Sequence, residues 1–157
     1  MSAVSAAIYI RVSTEEQTEG WSLEAQRELC KRLALQRGWS VYKVYEEPGQ
    51  SAKTDRRPVF QQMLREAERQ RFDIILVHKL DRFSRSLPDV VGNVARLKRV
   101  GVGLVSVSES WIDTTTPMGE ILLYLCALLA QWDNENRARE TCPGYKAHPF
   151  ECTGFLE

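Results

Sequence analysis

Four short runs of β-branched and aliphatic residues alternate with four longer stretches whose apolar residues recur at helical spacing. No other feature limits the fold as strongly. The expected strands are Ala6–Val12, Val41–Tyr45, Ile74–Val77 and Gly103–Val107. The expected helices are Leu23–Gln36, 58 to about 70, 88–101 and 118–140. Ser22 and Gly38 bracket the first helix, Pro58 and Pro88 open the second and third, and Gly101 closes the third. Regular β-α alternation is the pattern of a mostly parallel central sheet with helices on its faces, a three-layer α/β domain with a long C-terminal helix.

Bulk properties fit that class. A chain of 157 residues, 43% hydrophobic and 27% charged, is long enough for one self-sufficient core. Lys+Arg and Asp+Glu both number 21, and formal neutrality argues against a sequence-specific grip on DNA, although a neutral total can hide a local basic patch. Cys30 and Cys126 fall within helical apolar patterns and read as small core residues. Cys142, His148 and Cys152 can be drawn as metal ligands, but without a paired CxxC they read as free thiols in a tail. No signal-peptide pattern opens the chain, and the longest apolar run, Ile121 to Ala130, is half the length a membrane span needs. A cytoplasmic protein with reduced thiols and no membrane partner is the expectation.

In open parallel sheets ligands bind beyond the carboxyl ends of the strands. Ser13 follows the first strand, Glu46 and Glu47 the second, and Lys79, Asp81, Arg82 and Arg85 the third. Alternation along the first strand puts Tyr9, Arg11 and Ser13 on one face and Ile8, Ile10 and Val12 on the other. Arg11 alone is compatible with a salt bridge at a sheet edge, the LDRFSR segment alone with a solvated charged loop, and His78 with a packed residue. Taken together, several guanidiniums around one hydroxyl suit a phosphoryl group, whose transition state spreads charge over its non-bridging oxygens. Ser13 lacks a nucleophile elbow, and the chain has no Walker loop and no GxGxxG.

These residues resemble the serine recombinases of the resolvase/invertase family. The resemblance runs through Tyr9-Ile-Arg11-Val-Ser13-Thr14, Ser22-Leu-Glu-Ala-Gln26, Gly49-Gln-Ser51 with Arg57-Pro58, Lys79-Leu-Asp81-Arg82-Phe-Ser-Arg85 and Thr116-Pro-Met-Gly119. It covers about residues 5–141, and the wording of the N-terminal loop is nearest the large serine recombinases.

The resemblance implies that Ser13 attacks a DNA phosphodiester to give a 5′-phosphoserine link. Arg11, Arg82 and Arg85 would hold the scissile phosphate, Asp81 would orient this cluster, Arg57 would be a further active-site arginine, and Tyr9, Gln26, Glu47 and Lys79 would support them. It also implies exchange of subunits within a tetramer of homodimers, with religation that needs no ATP, metal or other cofactor. The long helix would carry the contact between subunits through Ile121, Leu122, Leu125, Leu128, Leu129 and Trp132.

Two departures stand out. Glu47 occupies a slot that is commonly aspartate, and the long helix reads Asp133-Asn134 and Arg139-Glu140-Thr141 in place of the family's pattern, so a helping arginine there is missing or displaced. Residues 1–141 read as the catalytic domain and 142–157 as an off-pattern tail, and the C-terminal DNA-binding domain of the family is expected to be absent. Two rivals follow: a truncated remnant that only self-associates, and a flavodoxin-like or receiver-like binding module. The second would need a phosphate loop or an acidic pocket after the first strand.

Overall fold

The computed structural model describes residues 3–11, 22–47, 57–84 and 86–141; in the last stretch the described side chains run to Trp132, with Glu135 beyond. The elements follow in the order β1 (Ser5–Arg11), α1 (Leu23–Gln36), β2 (Ser40–Glu47), α2 (Pro58–Glu68), β3 (Ile74–Val77), α3 (Leu80–Phe83), α4 (Leu87–Arg99), β4 (Gly103–Ser106) and α5 (Pro117–Thr141). The four strands form one sheet in the order β2-β1-β3-β4, every neighbour parallel. The expected α/β architecture with a long C-terminal helix is therefore present. One expectation changes: the start of LDRFSR is a helical turn, α3, rather than a loop.

Local signals explain most boundaries. The Ser22 hydroxyl accepts the Ala25 N–H at 3.2 Å and caps α1, satisfying one of the orphan donors of its first turn. Gly38, at φ +69°, lets the chain leave α1 in a left-handed conformation that a Cβ would strain. Pro58 sits in the first turn of α2, where its missing N–H costs nothing.

The sheet divides two cores. Tyr9 and Ala7 face a cluster with Phe60, Met63, Phe83, Val90, Leu97 and Leu123, beneath α2, α4 and α5. Ile8 and Ile10 face Cys30, Ala34, Leu76 and Val105, beneath α1. The alternation expected along β1 is thus observed, and Cys30 is a core residue, whereas Cys126 is only half-buried. Tyr9, Phe60 and Phe83 pack edge to face, with centroids 5.4 and 5.1 Å apart.

After β4 the chain turns back along the outer edge of that strand. Val105 and Asp113 form an antiparallel bridge, and Leu104 donates its N–H to Thr114 Oγ1 at 2.7 Å. Asp113 is buried and accepts from Arg37 at 2.8 Å and from the Thr115 N–H at 3.1 Å. Burial pulls the Asp113 carboxyl up, but the hydrogen bonds from Thr115 and Arg37 together outweigh it and hold the group below the ordinary aspartate value. Thr116 Oγ1 accepts the Gly119 N–H at 3.2 Å and opens α5.

Candidate active site

β1 and β2 run parallel with one register shift between Ala6 and Ala7, beyond which Arg11 and Glu47 stand side by side at the carboxyl edge of the sheet and Tyr9 pairs with both Tyr45 and Val77. The first turn of α2 brings Arg57 to the same edge, and β3 delivers His78 and Lys79 directly before α3 with Asp81 and Arg82. Three strand ends and two helix starts therefore meet there.

The hydrogen bonds link them into a chain. Arg57 donates from Nη2 and Nε to the Tyr9 hydroxyl at 3.0 and 3.3 Å, and from Nη2 to the Arg82 carbonyl at 3.1 Å. Its guanidinium carbon lies 3.9 Å from the Phe60 ring centroid, so one face of the cation rests on an aromatic surface. The Tyr9 hydroxyl in turn reaches Glu47 Oε2 at 3.5 Å. That oxygen also accepts the Phe60 N–H at 2.8 Å and so satisfies a donor in the first turn of α2. Burial raises the Tyr9 pKa, and the Arg57 contact only partly offsets it, so the phenol stays protonated and remains a donor to Glu47.

Glu47 is 4% exposed, and its Oε1 has no hydrogen-bond partner among the described residues. Arg82 is only 6% exposed, although it sits in a segment whose composition suggests a solvated turn. A buried guanidinium and a buried carboxylate are costly to desolvate, and their place together at the strand ends makes this edge a candidate site. Asp81 differs: its side chain is 54% exposed, with its Oδ2 3.7 Å from Arg82 Nη2, a long ion pair rather than a hydrogen bond.

His78 is buried at the end of β3, as expected of a packed residue. Burial first, then the charge of Lys79, hold its ring below the ordinary histidine pKa, against opposing pulls from Glu109 and Asp81. Its Nε2 lies 3.2 Å from Ser108 Oγ. Lys79 is half-buried beside it.

Tyr9, Arg11, Glu47, Arg57, Lys79, Asp81 and Arg82 are thus gathered at one edge of the sheet. Gln26 is buried in the first turn of α1, the helix that packs on the other face of the sheet; its neighbour Arg27 pairs with Glu46 at the end of β2, and the Gln26 Oε1 has no hydrogen-bond partner among the described residues. Ser13 and Arg85 lie outside the described residues, as do Cys142, His148 and Cys152. Among the described residues no group of three or more His, Cys, Asp or Glu side chains could hold a metal ion, and no helix is long and apolar enough to cross a membrane. A cleft of about 380 Å³ lies at the opposite, amino-terminal edge, lined by Asp73, Lys98, Gly103, Thr115 and Glu120, and contains none of these groups.

Sequence reasoning missed Ser106 and Glu109. Glu109 Oε2 accepts the Leu80 N–H at 3.1 Å and the Ser106 hydroxyl. The strand-end rule that exposed the other acids, extended to the fourth strand, finds both.

Residues 6–148 match the family described as Resolvase, N terminal domain. The chain belongs to that family. It is 29% identical over 139 residues to the serine recombinase gin of Escherichia phage Mu, aligning 88% of this chain with 65% of that one. Among solved structures it resembles the N-terminal catalytic domain of TP901-1 integrase, with a TM-score of 0.72 and 33% identity over 84% of this chain and 98% of that one. A resolvase family site-specific recombinase from Streptococcus pneumoniae also superposes with a TM-score of 0.72, at 29% identity over 88% of this chain and 95% of that one. The chain spans about two-thirds of the length of the curated recombinases it matches.

Proposed function

We propose that this chain is the catalytic domain of a site-specific DNA recombinase, with Ser13 as the nucleophile that cleaves and rejoins DNA through a 5′-phosphoserine intermediate. The observation that carries the reading is the convergence of Arg11, Arg57 and the buried Arg82 at the carboxyl edge of β1, two residues before Ser13. Residues 1–141 form this domain and 142–157 lie outside its pattern.

In the reaction, Ser13 Oγ forms a bond to phosphorus as the bond from phosphorus to the 3′ oxygen breaks. The serine gives up its proton and the departing oxygen gains one, leaving a free 3′-hydroxyl. Attack of a 3′-hydroxyl on the phosphoserine reverses every bond change, so religation draws on the energy kept in the ester. Arg11, Arg82 and Arg85 bind the non-bridging oxygens, where planar guanidiniums meet developing charge in a preorganised site. Arg57 acts one step back: it fixes Tyr9 and the carbonyl of Arg82. Targeting falls to contacts beyond this site, since a neutral domain supplies few of the phosphate contacts that affinity for DNA requires. The chain works as a homodimer joined through α5, two of which make the synaptic tetramer. That helix face also supports the second reading, a remnant that only self-associates.

The test joins the full chain to a DNA-binding domain of known target and offers a nicked suicide duplex carrying that target. Ser13→Ala should abolish the covalent protein–DNA adduct; an adduct at normal yield would move the nucleophile elsewhere, with Ser84 or Ser86 next to be tried.

A further inference from the structure

We infer that Glu109, on the connector after β4, is a positioning residue that holds the first turn of α3 and with it the two guanidiniums of Arg82 and Arg57; this rests on the functional reading above. A four-residue helix cannot hold itself, because its first N–H groups have no partner within it and a single turn is an unfavourable nucleus. Lys79, which precedes α3, offers no side-chain cap. The acceptor comes instead from 29 residues away: Glu109 Oε2 takes the N–H of the buried Leu80 at 3.1 Å.

The carboxylate is itself held in place. Ser106, buried at the end of β4, donates its hydroxyl proton to the same oxygen, and Ser106 Oγ lies 3.4 Å from the Glu109 N–H. The Glu109 carbonyl accepts the Ile112 N–H at 2.8 Å. Val107 and Ser108 donate their N–H groups to Val77 and His78 at 2.9 Å each, so the connector is sewn to the end of β3 immediately before α3.

What α3 carries is the site. The Arg82 N–H bonds the Lys79 carbonyl at 3.1 Å, and the Arg82 carbonyl is the acceptor for Arg57 Nη2, also at 3.1 Å. A shift in the first turn of α3 therefore displaces the Arg82 guanidinium directly and the Arg57 guanidinium through its carbonyl partner. Neither Ser106 nor Glu109 belongs to the two apolar clusters, so loss of the contact should disturb the site more than the core.

The full chain is compared with its Glu109→Ala and Glu109→Gln variants by the arginine Nε–Hε resonances of Arg82 and Arg57, each identified from its absence in an Arg→Lys variant. Inorganic phosphate is then titrated as the probe. Glu109→Ala should shift both resonances and weaken phosphate binding about tenfold, the scale of one lost hydrogen bond to a charged group. Glu109→Gln keeps a carbonyl acceptor for Leu80 and should restore most of both, with melting temperatures alike in all three. Unshifted resonances in Glu109→Ala overturn the proposal, and so does a Gln variant as impaired as Ala. Should Glu109→Ala fail to fold, Ser106→Ala, which removes the hydroxyl that holds the carboxylate, must shift the same two resonances, and no shift would overturn the proposal. A wild type that binds no phosphate, or forms no adduct through Ser13, counts against the functional reading; the resonance shifts then decide the role of Glu109 alone.

Discussion

The Tyr9 hydroxyl lies between a donor and an acceptor, Arg57 on one side and Glu47 on the other, so its own donor and acceptor capacity is met, while the second Glu47 oxygen has no partner among the described residues. Satisfaction of this kind is what makes buried charge tolerable, and removing one member would leave the next unpaired. His78 is a contrasting case, because its environment disfavours the proton. Its folded pKa is depressed by burial and by Lys79, so between that value and the ordinary one near 6.5 the unfolded chain binds more protons than the folded one. Stability from this group is fully present above about pH 6.5 and is lost as pH falls through the folded value. Urea midpoints measured from pH 7 down to pH 5 should therefore fall less steeply for His78→Gln than for the wild type; parallel curves would remove His78 from the acid limb.

At the scale of elements, Thr116-Pro-Met-Gly119 shows how a motif legible in sequence gains its physical reason only in three dimensions. Thr116 opens α5, and Gly119 is where the helix crosses the connector: a Cβ there would collide with the Asp113 carbonyl oxygen and come within 2.8 Å of its carbon. Gly119→Ala should cost about 1–3 kcal/mol, the usual range for forcing bulk into a packed contact, as read from denaturant unfolding. An unchanged midpoint would mean that the connector can yield.

Boundaries of the other helices were legible because Ser22, Gly38, Pro58 and Gly101 act locally, within a turn of the ends they set. Parallel pairing was legible from the alternation of strands and helices, and the two faces of β1 from side-chain alternation along that strand. The helical turn α3 was not, because the group that satisfies its first N–H is Glu109, distant in the chain. Nor was the burial of Arg82, since composition describes a charged segment as solvated and only the packed turn shows otherwise.

For the whole molecule the exposed side of α5 matters most. Met118, Ile121, Leu125, Leu128 and Trp132 are exposed, while Leu123 is fully buried in the core and Leu122 is half-buried. The exposed positions recur at alternating steps of three and four, the seam of a helix that meets another helix. Leu129 is exposed beside it. Light scattering should find a dimer or larger species, and Leu125→Glu or Leu129→Glu should reduce it; a soluble monomer at high concentration would refute association through this face. The strand order has a consequence of a different kind. β1 leaves the ribosome first, yet it lies inside the sheet, and its second neighbour, β3, begins only at Ile74. At roughly 5–20 residues per second, the nascent chain spends several seconds with one edge of β1 open, before the strand that leads into Lys79, Asp81 and Arg82 has been made. The candidate site therefore cannot exist on a half-made chain: its parts are synthesised in one order and assembled in another, and the last of them to arrive is the Ser106–Glu109 clasp.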